Sequence, residues 1–225
     1  MTMPSRLTVV GDLERPDHSH LPADARCYFW GEYTPHEHTD GKKWTYSPTN
    51  QLIGNFKKKM DRAGQSDWRY KRDAIDTVAR AFSQMWRWPD LQQHNPVLIP
   101  MPPSRSRADP LFDPRMLDVL NLMASKITTP IDIRDCLTFS GVFGASHESD
   151  ERPTPDDLFG ALQFDSAAGK PNAKPGVIFL YDDMLTTGAH FVAANRRLAE
   201  HFPGVQVVGT FVARRRVPNP FEAFE

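Results

Sequence analysis

An α/β fold with a central parallel sheet flanked by helices is the class the sequence predicts, and three observations carry it. Five apolar residues, Val177 to Tyr181, follow Pro175-Gly176 without a polar break, the pattern of a strand buried on both faces of a parallel sheet. Two further runs, Val97 to Met101 and Val205 to Ala213, have the same character. Between Tyr181 and Val205, the residues Phe191, Ala194, Leu198 and Phe202 fall on one face of a helix that Pro203-Gly204 stops. Strand, helix and strand therefore follow at the spacing of a crossover unit.

Composition sets the frame for the rest. The chain has 225 residues, 40% of them hydrophobic and 24% charged, enough for one elaborated domain with a buried core. A formal net charge of -1 gives no overall attraction to nucleic acid or membrane, so such a partner would need a local patch. Cys27 and Cys136 are the only cysteines, which excludes a disulfide framework. With no signal-like start and no apolar stretch of about 18 residues, a cytoplasmic protein is expected.

In chain order, residues 1–24 read as an irregular arm broken by Pro4, Pro16 and Pro22. Residues 25–94 are expected to form a hood. It begins with a β-hairpin, Cys27 to Thr34 and Lys42 to Tyr46, both aromatic-rich and joined by a polar loop. His18, His20, Cys27, His36 and His38 are ligand types for zinc, but the spacing lacks a Cys-x-x-Cys pair. A helix from Ser47-Pro48 to Asp61 follows, with Lys57, Lys58, Lys59 and Arg62 near its end, where cations complement the helix dipole. A second helix spans Lys71 to Arg87 and halts before Pro89.

The core is expected over residues 95–217, with a tail at 218–225. Strand Val97 to Met101 leads into Pro102-Pro103-Ser104-Arg105-Ser106-Arg107, a small, basic loop suited to an anion. A helix over Pro114 to Ile127 and an alternating strand over Ile131 to Phe139 come next, with Cys136 read as packing. Ser140 to Pro155 is a long loop carrying His147, Glu148 and Arg152. A helical piece at Asp156 to Phe164 and a polar linker, Asp165 to Lys174, lead back to the strand at Val177. Arg214, Arg215 and Arg216 after the last strand read as a solvated end.

The chemistry concentrates in Val177 to Ala189, VIFLYDDMLTTGA. Asp182 and Asp183 lie at the carboxyl end of a buried strand, where open α/β sheets place ligands, and ionised carboxylates accept hydrogen bonds from a sugar diol. Thr186, Thr187 and Gly188 supply hydroxyls, amides and a residue free to take positive φ, at the amino end of the helix starting near Ala189. Strand-ending and helix-capping roles compete with this reading, since short acids serve both.

At these residues the chain resembles the type I phosphoribosyltransferases, whose signature is an apolar strand, two acids, two apolar residues and Thr-Thr-Gly. The match runs from Ile178 through Ala189. The loop after Val97 to Met101 resembles the ComF-like branch, where a proline-containing turn precedes an Arg-rich loop. The resemblance implies binding of phosphoribosyl pyrophosphate (PRPP) or a nucleotide 5'-phosphate. It implies glycosyltransferase chemistry, the transfer of a phosphoribosyl group to or from a base. Asp182 and Asp183 would hold the ribose hydroxyls, with Met184 and Leu185 also among the PRPP-binding residues. Thr186, Thr187, Gly188, Ala189 and His190 would take the 5-phosphate, and Ser104, Arg105 and Arg107 the pyrophosphate. Magnesium would bridge that pyrophosphate, and Arg152, on a loop that closes over PRPP, would join Asp182 and Asp183 as a catalytic group. His190 stands where the family has Thr or Ser, and the Cys-rich zinc ribbon that often opens ComF-like chains is missing. A competing reading is a non-catalytic subunit of the same fold that senses nucleotides or works in a nucleic-acid handling or defence complex. The base stays unidentified, and a homodimer stays open.

Overall fold

A computed structural model of the chain describes residues 3–140, 153–170 and 173–218. The chain opens with β1 (Thr8–Val9) and β2 (Arg26–Tyr33), then α1 (Pro48–Phe56), α2 (Arg69–Met85) and α3 (Trp88–Gln92). Next come β3 (Pro96–Pro100), α4 (Arg115–Ala124), β4 (Asp132–Ile133) and β5 (Leu137–Phe139). The last elements are α5 (Pro155–Ala161), β6 (Leu162–Phe164), α6 (Ser166–Gly169), β7 (Val177–Leu185), α7 (Ala189–His201) and β8 (Gln206–Arg215).

Among the described residues, six strands form one sheet in the order β1-β2-β8-β7-β3-β4, parallel throughout except for β1. The expected α/β class is therefore observed, with a mixed, mostly parallel sheet. Period-two alternation divides the core. Ile178, Leu180, Val97 and Ile99 face α5, α7 and the small β5–β6 sheet, whereas Phe179, Tyr181 and Leu98 face α1, α2 and α4. From β3 the chain crosses through α4 to β4, and from β7 it crosses through α7 to β8 on the opposite side. The connections diverge between β3 and β7, so the carboxyl ends of these two strands form a topological switch point.

The expected hairpin is not there. Its first arm is β2, which enters the main sheet parallel to β8 with Arg26 opposite Val208 and Tyr33 opposite Arg215. Its second arm holds a single 3-10 turn at Lys43–Thr45. Cys27 and Phe29 pack into one core layer and Tyr28 and Trp30 into the other, so this strand is apolar on both faces and fits an interior position.

Three other expected boundaries move. The first helix ends at Phe56, not Asp61, because the buried ammonium of Lys71 takes the carbonyls of Phe56 (3.0 Å) and Lys58 (2.9 Å) and closes the last turn. The strand expected over Ile131 to Phe139 breaks at Arg134. That side chain is buried, and its guanidinium donates to the Asp132 carboxylate and to the carbonyls of Gly169 and Ala173. The helix expected to reach Phe164 stops at Ala161, and Leu162–Phe164 pairs antiparallel with β5 instead.

Candidate functional site

The acidic pair occupies the switch point. Hydrogen bonding between β3 and β7 ends where Met101 N–H donates to the Tyr181 carbonyl (2.7 Å), while β7 stays paired with β8 as far as Leu185. A crevice opens beyond Tyr181, and Asp182 and Asp183 line it with Pro100, Met101, Arg107 and Arg115. Local backbone chemistry sets their geometry. The Asp183 amide donates to Asp182 Oδ1 (2.7 Å), and the ladder to β8 skips Asp183 while pairing the residues on either side. Alternation is interrupted there, because Asp183 reaches cations of the α1 and α4 face and Met184 packs toward the same layer.

Neighbouring charges give the two acids opposite characters. Burial alone would raise the pKa of Asp183, but Lys57 and Arg115 hold it well below the usual carboxylate range. Lys57 Nζ donates to Oδ1 (3.1 Å), and Arg115 donates to Oδ2 through Nε (3.0 Å) and Nη2 (2.5 Å). Arg115 in turn holds Asp113 (2.6 Å), and Asp113 holds Lys71 (2.7 Å). Burial and the charge of Asp183 push the pKa of Asp182 upward. The site thus contains one firmly ionised carboxylate beside one that takes a proton readily.

The turn after β7 has the left-handed conformation its glycine permits. Gly188 sits at φ 89°, and α7 begins at the next residue. A β-carbon at Gly188 would lie 3.1 Å from Leu21 Cβ and Leu21 N. The N-terminal arm therefore packs against this turn. His18 Nδ1 donates to the Thr186 carbonyl, and the His20 amide donates to the Thr187 carbonyl (2.8 Å). The arm takes the carbonyl side of the turn, and the amino end of α7 keeps its N–H side, the side that attracts anions. His190, in the first turn of α7, meets the Phe139 ring edge-on, and burial lowers its pKa, so the ring is neutral beside Asp183 and Lys57.

Of the other sequence-derived candidates, Arg107 lines the crevice and is held by the Asp135 carboxylate and carbonyl, each at 2.8 Å. Arg105 turns to Asp109 on its own loop (2.6 Å), and Ser104 is exposed; neither lines the crevice. His147, Glu148 and Arg152 lie outside the described residues. The N-terminal zinc candidates take separate roles. His18 is buried on the turn, Cys27 is packed in the core, and His36 lies beside the Tyr33 ring. Among the described residues no group of three or more His, Cys, Asp or Glu is close enough to hold a metal ion. Arg214 is not solvated as expected, being buried between Asp17 (2.9 Å) and Glu32 (2.5 Å).

Two partners of the acid pair, Lys57 and Arg115, carry no local signal in the sequence. Lys57 lies in a cluster that helix-dipole compensation explains, Arg115 opens a helix whose sequence shows only its apolar face, and Lys71, which holds Asp113, stands at the start of an expected helix. The available signal was charge at a helix end, which does not say which lysine turns inward. Both Asp183 oxygens accept from cations, and Asp182 Oδ1 accepts from the Asp183 amide. The crevice has a cavity volume of about 30 Å³. That is room for little more than a water. Among the described residues, no helix is long and apolar enough to cross a membrane. Compared with models of known protein families and with curated protein sequences, the chain matches none.

Proposed function

We propose that the chain is a type I phosphoribosyltransferase-like protein of the ComF-like branch. It binds PRPP or a nucleotide 5'-phosphate and transfers the phosphoribosyl group to or from a base. One observation carries the reading. Adjacent carboxylates sit at the carboxyl end of β7, at the sheet's switch point, with Asp183 five residues before a left-handed glycine that opens a thirteen-residue helix. Asp182 and Asp183 accept the ribose hydroxyls and stabilise the positive charge that develops as the glycosidic bond breaks. The amides of the turn and of α7 take the 5-phosphate, and Arg107 exchanges Asp135 for pyrophosphate. The protein's contribution is placement and screening, with no nucleophile required.

A second reading, a nucleotide-binding subunit of the same fold without turnover, is favoured by the small crevice and by the cations already seated on Asp183. Titration calorimetry of the full chain with PRPP and magnesium tests the shared premise. Binding is expected in the wild type and its loss in Asp182→Asn, a substitution that spares the buried ion pairs of Asp183. Absence of binding to the wild type would remove the reading. Where binding occurs, pyrophosphate release across a panel of bases separates the transferase from the subunit.

A further inference from the structure

A second cavity, of about 560 Å³, lies on the outer side of α1. Its walls include Tyr33, His36, Trp44, Lys57, Lys58 and Tyr70. Trp44 and Tyr70 are 55% and 42% exposed, unusual for large rings in a chain whose other tryptophans are buried or half-buried. Trp44 stands on the 3-10 turn Lys43–Thr45 and packs against Gly54, where a β-carbon would lie 3.7 Å from Trp44 Cβ. Both rings line a space large enough for a bicyclic ring system, and Arg69 stands over the Tyr70 ring, 4.8 Å from its centroid.

Charge decides what kind of ring. Two lysines line the cavity against one carboxylate, Asp67, which is committed to Lys58 (3.3 Å) and Arg62 (2.9 Å). Lys57 is the remaining cation. Its ammonium is held by Asp183 Oδ1 (3.1 Å), so this one side chain lines the aromatic cavity and reaches the acid pair. Asp183 does not depend on Lys57 alone, because Arg115 grips its other oxygen.

We infer that this cavity binds a planar aromatic or heteroaromatic carboxylate, stacked on Trp44 and Tyr70, with its carboxylate on Lys57. The inference does not rest on a pentose phosphate at Asp182 and Asp183. It does link the two places. A bound carboxylate draws the Lys57 ammonium off Asp183 Oδ1 and leaves that oxygen free to accept another hydrogen bond. Occupancy of the aromatic cavity and availability of the acid pair are thus coupled, and the coupling runs equally in both directions.

Titration calorimetry of the full chain with indole-3-carboxylate and indole-3-carboxamide tests the site, the two probes matching in shape and differing in charge. The carboxylate is expected to bind about tenfold more tightly. Lys57→Met should abolish that preference, and Trp44→Ala, at an exposed ring, should weaken both probes. Asp183→Asn should tighten the carboxylate, since the competing acceptor for Lys57 is gone, whereas the same change should abolish any PRPP binding. Equal affinity for the two probes, no heat from either, or a preference that survives Lys57→Met would overturn the inference. So would affinities unmoved by Trp44→Ala. A chain that binds the carboxylate but not PRPP keeps this site and loses the phosphoribosyl reading.

Discussion

Replacing each of the two adjacent aspartates by asparagine should move stability in opposite directions, although the side chains are neighbours and the change is isosteric. Asp183 is 6% exposed and accepts from Lys57 and twice from Arg115. Removing one partner of a buried ion pair costs about 3–5 kcal/mol, because the other charge is left buried. Two features reduce that here. Arg115 keeps Asp113 at 2.6 Å, and the Lys57 side chain is 42% exposed and can turn to water. About 2–4 kcal/mol is therefore expected for Asp183→Asn, which in a chain of this size lowers Tm by roughly 5–15 °C. Asp182 pays for burial and for the charge beside it. Asparagine keeps the oxygen that accepts the Asp183 amide and removes the charge, so Asp182→Asn should stabilise by about 0.5–2 kcal/mol.

Linkage gives the pH dependence. The raised pKa of Asp182 means that its protonated form favours the folded state. The wild type therefore loses stability as pH climbs past the ordinary carboxylate value, near 4, and through the raised one. The advantage of Asp182→Asn should be small at about pH 4 and grow toward pH 8. Asp183 has the opposite sign, with a stabilising contribution present above the ordinary carboxylate value and lost as pH falls below it. Urea titrations of the three proteins across this range measure both effects. Equal destabilisation by the two substitutions, or an Asp182→Asn gain that does not change with pH, would refute this account of the pair.

Two further outcomes are expected. Gly188→Ala should cost about 1–2 kcal/mol for the left-handed backbone alone, and more because the added carbon meets the backbone nitrogen of Leu21; thermal melts measure it, and an unchanged Tm would contradict the turn geometry. Cys27 and Cys136 are buried, with thiols pushed up to about 12 by burial, so both should resist a thiol reagent at pH 8 until denaturant is added; rapid labelling of the native chain would contradict their packing.

What was legible in the sequence was what is local in it. β7, the acids, the turn and α7 lie within one stretch of 25 residues, so periodicity and residue type place them without reference to the rest. The apolar positions Phe191, Ala194, Leu198 and Phe202 are all buried, as their spacing predicts. What failed depended on distant partners. An aromatic strand before a polar loop suggests half a hairpin, yet β2 pairs in parallel with β8, some 180 residues further along. Lys57 and Arg115 lie 126 and 68 residues from Asp183, and no local signal distinguishes them from other charges at helix ends. The arm holds the turn through the His18 ring and the His20 amide, each donating to a backbone carbonyl of the turn, and a carbonyl carries no signature in the sequence.

In the proposed function, the acids at the end of β7 and the Gly188 turn together grip a phosphorylated pentose. A crystal structure of the chain soaked with ribose 5-phosphate tests it directly. The ring hydroxyls are expected on Asp182 and Asp183, with the Lys57 ammonium displaced from Asp183 Oδ1. The phosphate is expected against the backbone amides that open α7. A sugar phosphate bound elsewhere, with Lys57 still on Asp183 and those amides unengaged, would contradict the claim.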